Sequence, residues 1–515
     1  MRKPSFALVF LALVPLACSA ETVEDDSPPN FIIMIGDDMA VETVGCYGVG
    51  STPAKTPTID QLCDDGMRFD NFWSQPVCSP TRATILTGQY GFRNGVGTPA
   101  THPSIDYPIP DTPDGSPSEG GARGIDVIPG EEGGGGNRRG EGRPGGNRNA
   151  RQREPVVREG YTEPADERPS ISIDAYGLPT ALRADASLAY EAAAFGKWHL
   201  ASEENGALEH PQVVGFDHYS GNFNGGGVES YFAWSKVIDG EVTDGKTGYV
   251  TSDTVDDAIG WIAERDGDSP WLAWVAFNAP HSPFGAPPVE LLSEETVAAL
   301  AAADADDGRL PNYLAMIEAM DTEIARLLAS VDPAELANTY VIFMGDNGTP
   351  GEAVTAPFTR GRAKGTVYQG GVNVPFVVAG PGIDGGEVTQ ALANSVDLYA
   401  TILDLAGTAA NEKLAGIKQD SISLTPVLRQ SSTKVRDYAY VDHFGPTRTQ
   451  IVNRHAIRDD QYKIIVDLQD NTKELYDLSV DPYESVDLLQ ETLDEETEVR
   501  YHALLAQLEQ LRASK

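Results

Sequence analysis

NFIIMIGDD (30–38) sets five consecutive apolar residues, Phe31 to Ile35, directly before Gly36 and two acids, Asp37 and Asp38. An apolar run of this length, with no polar alternation, fits a strand covered on both faces, as strands are in a parallel sheet. The arrangement returns in WLAWVAFNAPH (271–281) and NTYVIFMGDNG (338–348), then in VPFVVAGPG (374–382) and, more weakly, in AYEAAAFGKWH (189–199). Between them, SDTVDDAIGWIAER (252–265) and NYLAMIEAMDTEIARLLASV (312–331) carry helical patterns, the second with apolar residues at i, i+3 and i+4. Strands alternating with helices predict an α/β domain on a large doubly wound sheet, mixed but mostly parallel. Ligands of such sheets bind beyond the carboxyl ends of the strands. Asp37 and Asp38, Lys197 and His199, His281, and Asp346 and Asn347 all follow these runs, so the predicted topology gathers them at one edge.

Composition bounds what else the chain can be. Its 515 residues suffice for one large domain and a smaller one. A formal charge of −39 and a pI near 4.4 leave no net basic surface for nucleic acid. The N-terminus, MRKP and then FALVFLALVPLA (6–17), reads as a signal peptide over 1–20, with CSA (18–20) as its cleavage site. PLAC (15–18) also resembles a lipoprotein box with Cys18 as the lipidated residue, although Pro15 is unusual there, and both readings stay open. No other run reaches the roughly 18 apolar residues of a membrane span. An exported protein is expected, periplasmic or extracellular, soluble or held by a lipid. The large domain is placed at 28–430, with a Pro-, Gly- and charge-rich insertion at 101–170 that lacks the apolar residues to fold alone. From about 431, short strand-like pieces and then a helical stretch at 494–513 predict a small antiparallel α+β domain over 431–515.

The cysteines, four in all, do not form a disulfide framework. Cys46 in GCYG and Cys63 in TIDQLCDDGMRF, a helix capped by Thr58, are expected as two free buried thiols in preference to a Cys46–Cys63 bridge. Cys78 stands apart. In PVCSPTRATILTG (76–88), Ser79 suits an N-cap, Pro80 the first helical position and Gly88 the end of the helix. Cys78 then lies where helix amides favour an anion, with Arg82 one turn on. The residues leave three readings open: an inert cysteine, a thiolate nucleophile with a lowered pKa, or the precursor of another group. Asp37, Asp38, Asp346 and Asn347 offer oxygen ligands only, a set suited to Ca²⁺ or Mg²⁺ rather than zinc. Each pair alone is equally a loop or helix cap; the two together point to a metal.

CSPTR (78–82) resembles the C-x-P-x-R signature of type I sulfatases, members of the alkaline phosphatase-like superfamily. NFIIMIGDD, GKWHL (196–200), APHSP (279–283), GDNG (345–348) and GRAKGTVYQGGVNVP (361–375) resemble further motifs of that family in its order, and ELYDLSVDPYESVDLL (474–489) resembles its terminal segment. The likeness covers most of the chain. It departs at Gln369, where the family usually has Glu, and at Asn373, where it usually has Arg.

The resemblance implies a mechanism. Cys78 is oxidised to formylglycine by a formylglycine-generating maturation enzyme, and the aldehyde hydrate is the nucleophile. One divalent cation, calcium in the first place and magnesium otherwise, is held by Asp37, Asp38, Asp346, Asn347 and residue 78. Arg82, Lys197 and Lys364 offset the charge of the sulfate. His281 contacts the sulfate and is the candidate acid for the leaving alcohol, while His199 resembles the base of the sulfate-releasing step. The implied activity is hydrolysis of sulfate monoesters, with sulfated poly- or oligosaccharides as partners. Two alternatives remain: a phosphonate or phosphate monoester hydrolase of the same superfamily, and a non-catalytic binder of sulfated glycans whose Cys78 is never matured. His102, His210, His218, His443, His455, His502, Arg360 and Arg362 are assigned no role.

Overall fold

The computed structural model describes residues 27–100, 170–223, 228, 230–243, 245–265, 267, 269–303, 309–408, 414–447 and 450–514. The expected signal peptide (1–20, with Cys18) and the expected insertion, apart from Ser170, lie outside the described residues. Among those residues a ten-stranded sheet forms from β1 (Asn30–Gly36), β2 (Met67–Phe69), β3 (Glu191–Lys197), β4 (His218–Asn222), β5 (Val237–Ile238), β6 (Glu241–Val242), β7 (Trp271–Ala276), β8 (Thr339–Gly345), β9 (Phe376–Ala379) and β10 (Glu387–Thr389). Its order is β10-β2-β9-β8-β1-β7-β3-β4-β5-β6. The central strands β8, β1, β7, β3 and β4 are all parallel. The run at 374–382, read with the parallel strands, forms β9 instead, which is antiparallel to β8. Burial does not distinguish the two orientations, since β9 is as covered as its neighbour.

Successive residues of β1 enter opposite cores, as the pleat requires. Phe31, Ile33 and Ile35 join one and Ile32 and Met34 the other, all with no exposed surface. Each such side chain contributes roughly 1.5–3 kcal/mol by leaving water. Helices α1 (Pro57–Asp65), α3 (Val250–Ala263) and α4 (Arg309–Ser330) share the second core, whereas α2 (Cys78–Thr87) and α5 (Asp397–Leu405) share the first, so both faces of the sheet are covered. Register then sets the functional edge: Gly36 pairs with Gly345, and Ala276 with Gly196. Gly196 has φ +84, and a Cβ there would meet the Ala276 carbonyl oxygen at 2.1 Å, so only glycine lets β3 and β7 end side by side.

The cap of α1 is Thr56 rather than Thr58, and it makes no side-chain capping bond. The amides of Thr58 and Ile59 instead donate to the Asp321 carboxylate on α4, at 2.9 and 2.8 Å. Cys46 and Cys63 form a disulfide, contrary to the expectation of two free thiols. The short turn Gly45–Tyr47 is drawn onto α1 by Asp60, whose carboxylate accepts from the Cys46 amide at 2.8 Å, and this brings the two sulfurs together. Cys78 is the free cysteine of the described residues.

At the C-terminal end, β11 (Ala439–Pro446), β12 (Ile451–Arg458), β13 (Tyr462–Asp467) and β14 (Thr472–Asp477) form a four-stranded antiparallel sheet in chain order. One face takes α6 (Glu495–Ala513), and the other takes Trp73, Val367 and Val372 of the large domain. At that seam Lys463 pairs with Glu484 at 2.5 Å with both side chains buried, and Lys463 also donates to the Val367 carbonyl at 2.7 Å. No described helix is long and apolar enough to cross a membrane.

The disulfide closes a loop of 17 residues. Non-reducing peptide mapping is expected to recover the Cys46 and Cys63 peptides linked, and Cys46→Ala/Cys63→Ala to lower the unfolding free energy by about 3 kcal/mol in denaturant titration.

Candidate active site

Helix α2 starts at Cys78, two residues earlier than its sequence suggests, and its cap is Val77 with no side-chain bond. Every residue of α2 is buried. Its N-terminus points Cys78 at the acids that follow β1: the thiol donates to Asp37 Oδ1 at 3.3 Å and lies 3.9 Å from Asp38 Oδ1. Lys197, at the end of β3, reaches the same sulfur at 3.5 Å and pairs with Asp37. Arg82, one turn along α2, donates to Asp346 Oδ2 at 2.9 Å and to the Lys197 carbonyl at 2.8 Å.

The remaining predicted residues arrive from separate strand ends and one loop. Asp346 Oδ1 accepts from the Asp38 amide at 3.0 Å, and Asn347 Nδ2 donates to Asp38 Oδ1 at 2.8 Å. Lys364, on the loop before β9, pairs with Asp38 at 2.6 Å and keeps 23% of its side chain exposed, which marks the open side of the site. His281 Nε2 lies 3.7 Å from Asp38 Oδ2, while its Nδ1 is 2.8 Å from the Ser282 carbonyl. His199 Nε2 lies 3.0 Å from the Ala100 carbonyl. Asp38 and His199 have φ +73 and +58, a left-handed backbone that Asp and His tolerate better than most residues.

The donor chemistry suits a hard divalent cation. Asp37, Asp38, Cys78 and His281 place one ligand atom each within 4.8 Å of one another. Asn347 Oδ1 is buried beside them with no hydrogen-bond partner among the described residues, an acceptor suited to a cation. Asp346 Oδ2 accepts from Arg82 and Oδ1 from the Asp38 amide, beside the same cluster, which His281, not read as a ligand from the sequence, also joins.

Two family models match. The one described as Sulfatase covers residues 29–115 and 165–408, and the one described as N-sulphoglucosamine sulphohydrolase, C-terminal, covers 362–514. The chain belongs to the sulfatase family. With that family it falls among the sulfuric ester hydrolases of the alkaline phosphatase-like superfamily. A sulfatase of Formosa agariphila is 26% identical over 96% of this chain and 91% of that protein. The human N-acetylgalactosamine-6-sulfatase is 25% identical over 80% of this chain and 68% of that protein. The structure of BT4656 in complex with its substrate D-glucosamine-2-N,6-O-disulfate superposes with a TM-score of 0.65 at 21% identity, covering 95% of this chain and 98% of that one, a likeness of fold.

In this sulfatase the site balances three carboxylates, Asp37, Asp38 and Asp346, against three cations, Arg82, Lys197 and Lys364. Burial alone would raise the Asp37 carboxyl, but Lys197, His281, Arg82 and Lys364 hold it well below the usual range. Burial pushes the Cys78 thiol up, and Asp346 and Asp37 push it further, the opposite of the lowered pKa that a thiolate nucleophile needs. Burial also keeps both imidazoles neutral: it takes His281 down to about 4, helped by Lys364, and takes His199 well below its ordinary value, helped by Lys197 and Arg82.

The sequence gives no hint of the groups that brace these side chains. Tyr313 on α4 donates to the Asp38 carbonyl at 2.6 Å, and Tyr231 to the Asn278 and His281 carbonyls at 2.6 and 2.8 Å. Thr81 of CSPTR donates to the Asp346 carbonyl at 2.5 Å. Gln369, where the family usually has Glu, accepts from the Trp73 indole at 2.8 Å and supports the wall rather than the centre.

Asp346→Ala strands the Arg82 guanidinium in a buried position. Urea unfolding of this variant is expected to show a loss of roughly 3–5 kcal/mol, whereas an equivalent alanine at the exposed Glu295–Lys55 pair is expected to leave the transition almost unmoved.

Proposed function

We propose that this protein is an exported sulfatase that releases sulfate from sulfated poly- or oligosaccharides, using a divalent cation and a formylglycine made from Cys78 by a maturation enzyme. The observation that carries the reading is the setting of Cys78: its sulfur sits between the Asp37–Asp38 pair and Lys197, with its thiol held protonated. A cysteine so placed is a poor nucleophile and a poor partner for a hard cation. Formylglycine, when formed, supplies an oxygen nucleophile and oxygen ligands at the same place. A bound calcium or magnesium ion would supply Lewis acidity towards the sulfate oxygens; Asp37, Asp38, Asp346, Asn347 and residue 78 would hold it.

The chain's own residues do the rest. Arg82 orients Asp346 and carries positive charge into a site that excludes water, where such charge counts most. Lys197 and Lys364 are placed to transfer their attraction from Asp37 and Asp38 to an anionic sulfate group. His281, bonded through Nδ1 to Ser282, turns Nε2 toward the site, and an anion beside it favours the imidazolium that protonates a leaving alcohol. His199, neutral and with Nδ1 free of any partner among the described residues, can accept a proton in the sulfate-releasing step.

Sugar sulfates are favoured because the human relative is an N-acetylgalactosamine-6-sulfatase and the superposed structure holds a glucosamine disulfate. Export is supported by the N-terminal sequence and by the Cys46–Cys63 disulfide, a bond that persists in oxidising compartments.

The mass of the peptide containing residue 78, from a host able to mature sulfatases, is expected to show an aldehyde that a carbonyl reagent traps. Matched aryl sulfate, phosphate and phosphonate esters are expected to give fastest turnover of the sulfate, and a chelator to abolish it reversibly. Faster turnover of either phosphorus ester would replace the sulfatase assignment, and tight binding of sulfated glycan without sulfate release would mark a binding protein.

A further inference from the structure

Ser79 is the second residue of CSPTR, and its hydroxyl does not cap α2. Ser79 Oγ donates to the His199 carbonyl at 2.7 Å and accepts from the Ala100 amide at 2.8 Å. The Ala100 carbonyl in turn lies 3.0 Å from His199 Nε2. Three hydrogen bonds thus close a ring through Ser79, Ala100 and His199, all of them buried.

The ring has a chemical consequence. A carbonyl can only accept, so in the neutral imidazole the proton must sit on Nε2, which leaves the lone pair on Nδ1. Nδ1 is buried and has no partner among the described residues. The charges acting on this imidazole are those of the site: Lys197, Arg82, Asp37 and His281. His199 also holds its left-handed backbone with its carbonyl fixed by Ser79. The Ala100 side of the ring is anchored independently, because Gly97 in the same segment accepts from the Phe444 amide of β11 at 3.1 Å.

We infer that Ser79 is a positioning residue for His199: its hydroxyl joins the His199 backbone to residues 96–100, so that the Ala100 carbonyl selects the Nε2–H tautomer and presents Nδ1 as the acceptor. The inference rests on the reading of His199 as the base. Alanine at 79 would remove from the His199 carbonyl and the Ala100 amide the one partner each has among the described residues, and leave the imidazole free to tilt. A misplacement of about 1 Å costs a proton-transfer group on the order of tenfold to a hundredfold in rate.

The test compares the whole protein with Ser79→Ala and Ser79→Thr, all made in a maturation-competent host. The extent of conversion of residue 78 is read by peptide mass, and kcat is expressed per converted chain. Hydrogen exchange is followed at the Ala100 amide. Ser79→Ala is expected to exchange that amide at least about tenfold faster and to lose about tenfold in kcat on an aryl sulfate, with KM within twofold, because the hydroxyl does not touch substrate. Ser79→Thr, which keeps the hydroxyl, is expected to restore both. Unchanged exchange at Ala100 in Ser79→Ala would overturn the inference, as would unchanged kcat despite fast exchange, or a parallel rise in KM that threonine does not reverse. A wild-type residue 78 that stays a thiol would overturn the sulfatase chemistry instead. The exchange measurement would then still decide whether Ser79 holds Ala100.

Discussion

Arg82 and Asp346 meet with neither side chain exposed, and neither can be removed without leaving a full charge inside the protein. The pair joins elements far apart in sequence. Arg82 belongs to α2, Asp346 follows β8, and the same guanidinium holds the carbonyl of Lys197 at the end of β3. One planar cation therefore fixes the helix that carries Cys78 against two strand ends, in a geometry that a lysine could not reproduce. The other charges pair around it: Asp37 takes Lys197 and Asp38 takes Lys364.

How much of this was legible in the chain depends on the kind of signal each feature leaves. Unbroken apolar runs ending in polar residues mark buried strands and their carboxyl ends, and Asp37, Asp38, Lys197, His199, His281, Asp346 and Asn347 stand together in the structure where those runs converge. Orientation was not legible for β9, because a strand buried on both faces looks the same running either way. Ser79 and Thr58 were read as caps from residue type, which is a local criterion; their helix ends are satisfied by partners over a hundred residues away or begin elsewhere. Tyr231, Tyr313 and Thr81 act on backbone carbonyls, which every residue has, so no pattern of residue types could have announced them.

The small C-terminal sheet is more than an appendage to this arrangement. Glu484 accepts from the Gln369 amide at 2.6 Å while pairing with Lys463, whose ammonium also lies 4.7 Å from the centre of the Trp73 ring. These contacts hold the segment 367–372, a few residues beyond the loop that presents Lys364, against the C-terminal sheet. The partly exposed lysine, held locally by its amide on the Thr349 carbonyl, is followed within a few residues by a segment braced by a fully buried ion pair.

The burial of Cys78 also imposes an order on the making of the protein. Its side chain is 2% exposed at the root of a helix with no exposed residue, so an enzyme that acts on this thiol must meet the chain before α2 docks against the sheet. Cys46 and Cys63 precede Cys78 in the chain and close a loop only 17 residues apart, which lets them find each other while the chain is still emerging. Once joined, they no longer compete for Cys78. For the modification of Cys78 proposed above, chemistry at one cysteine would have to outrun folding around it, and a faster-folding variant would not automatically be a better one.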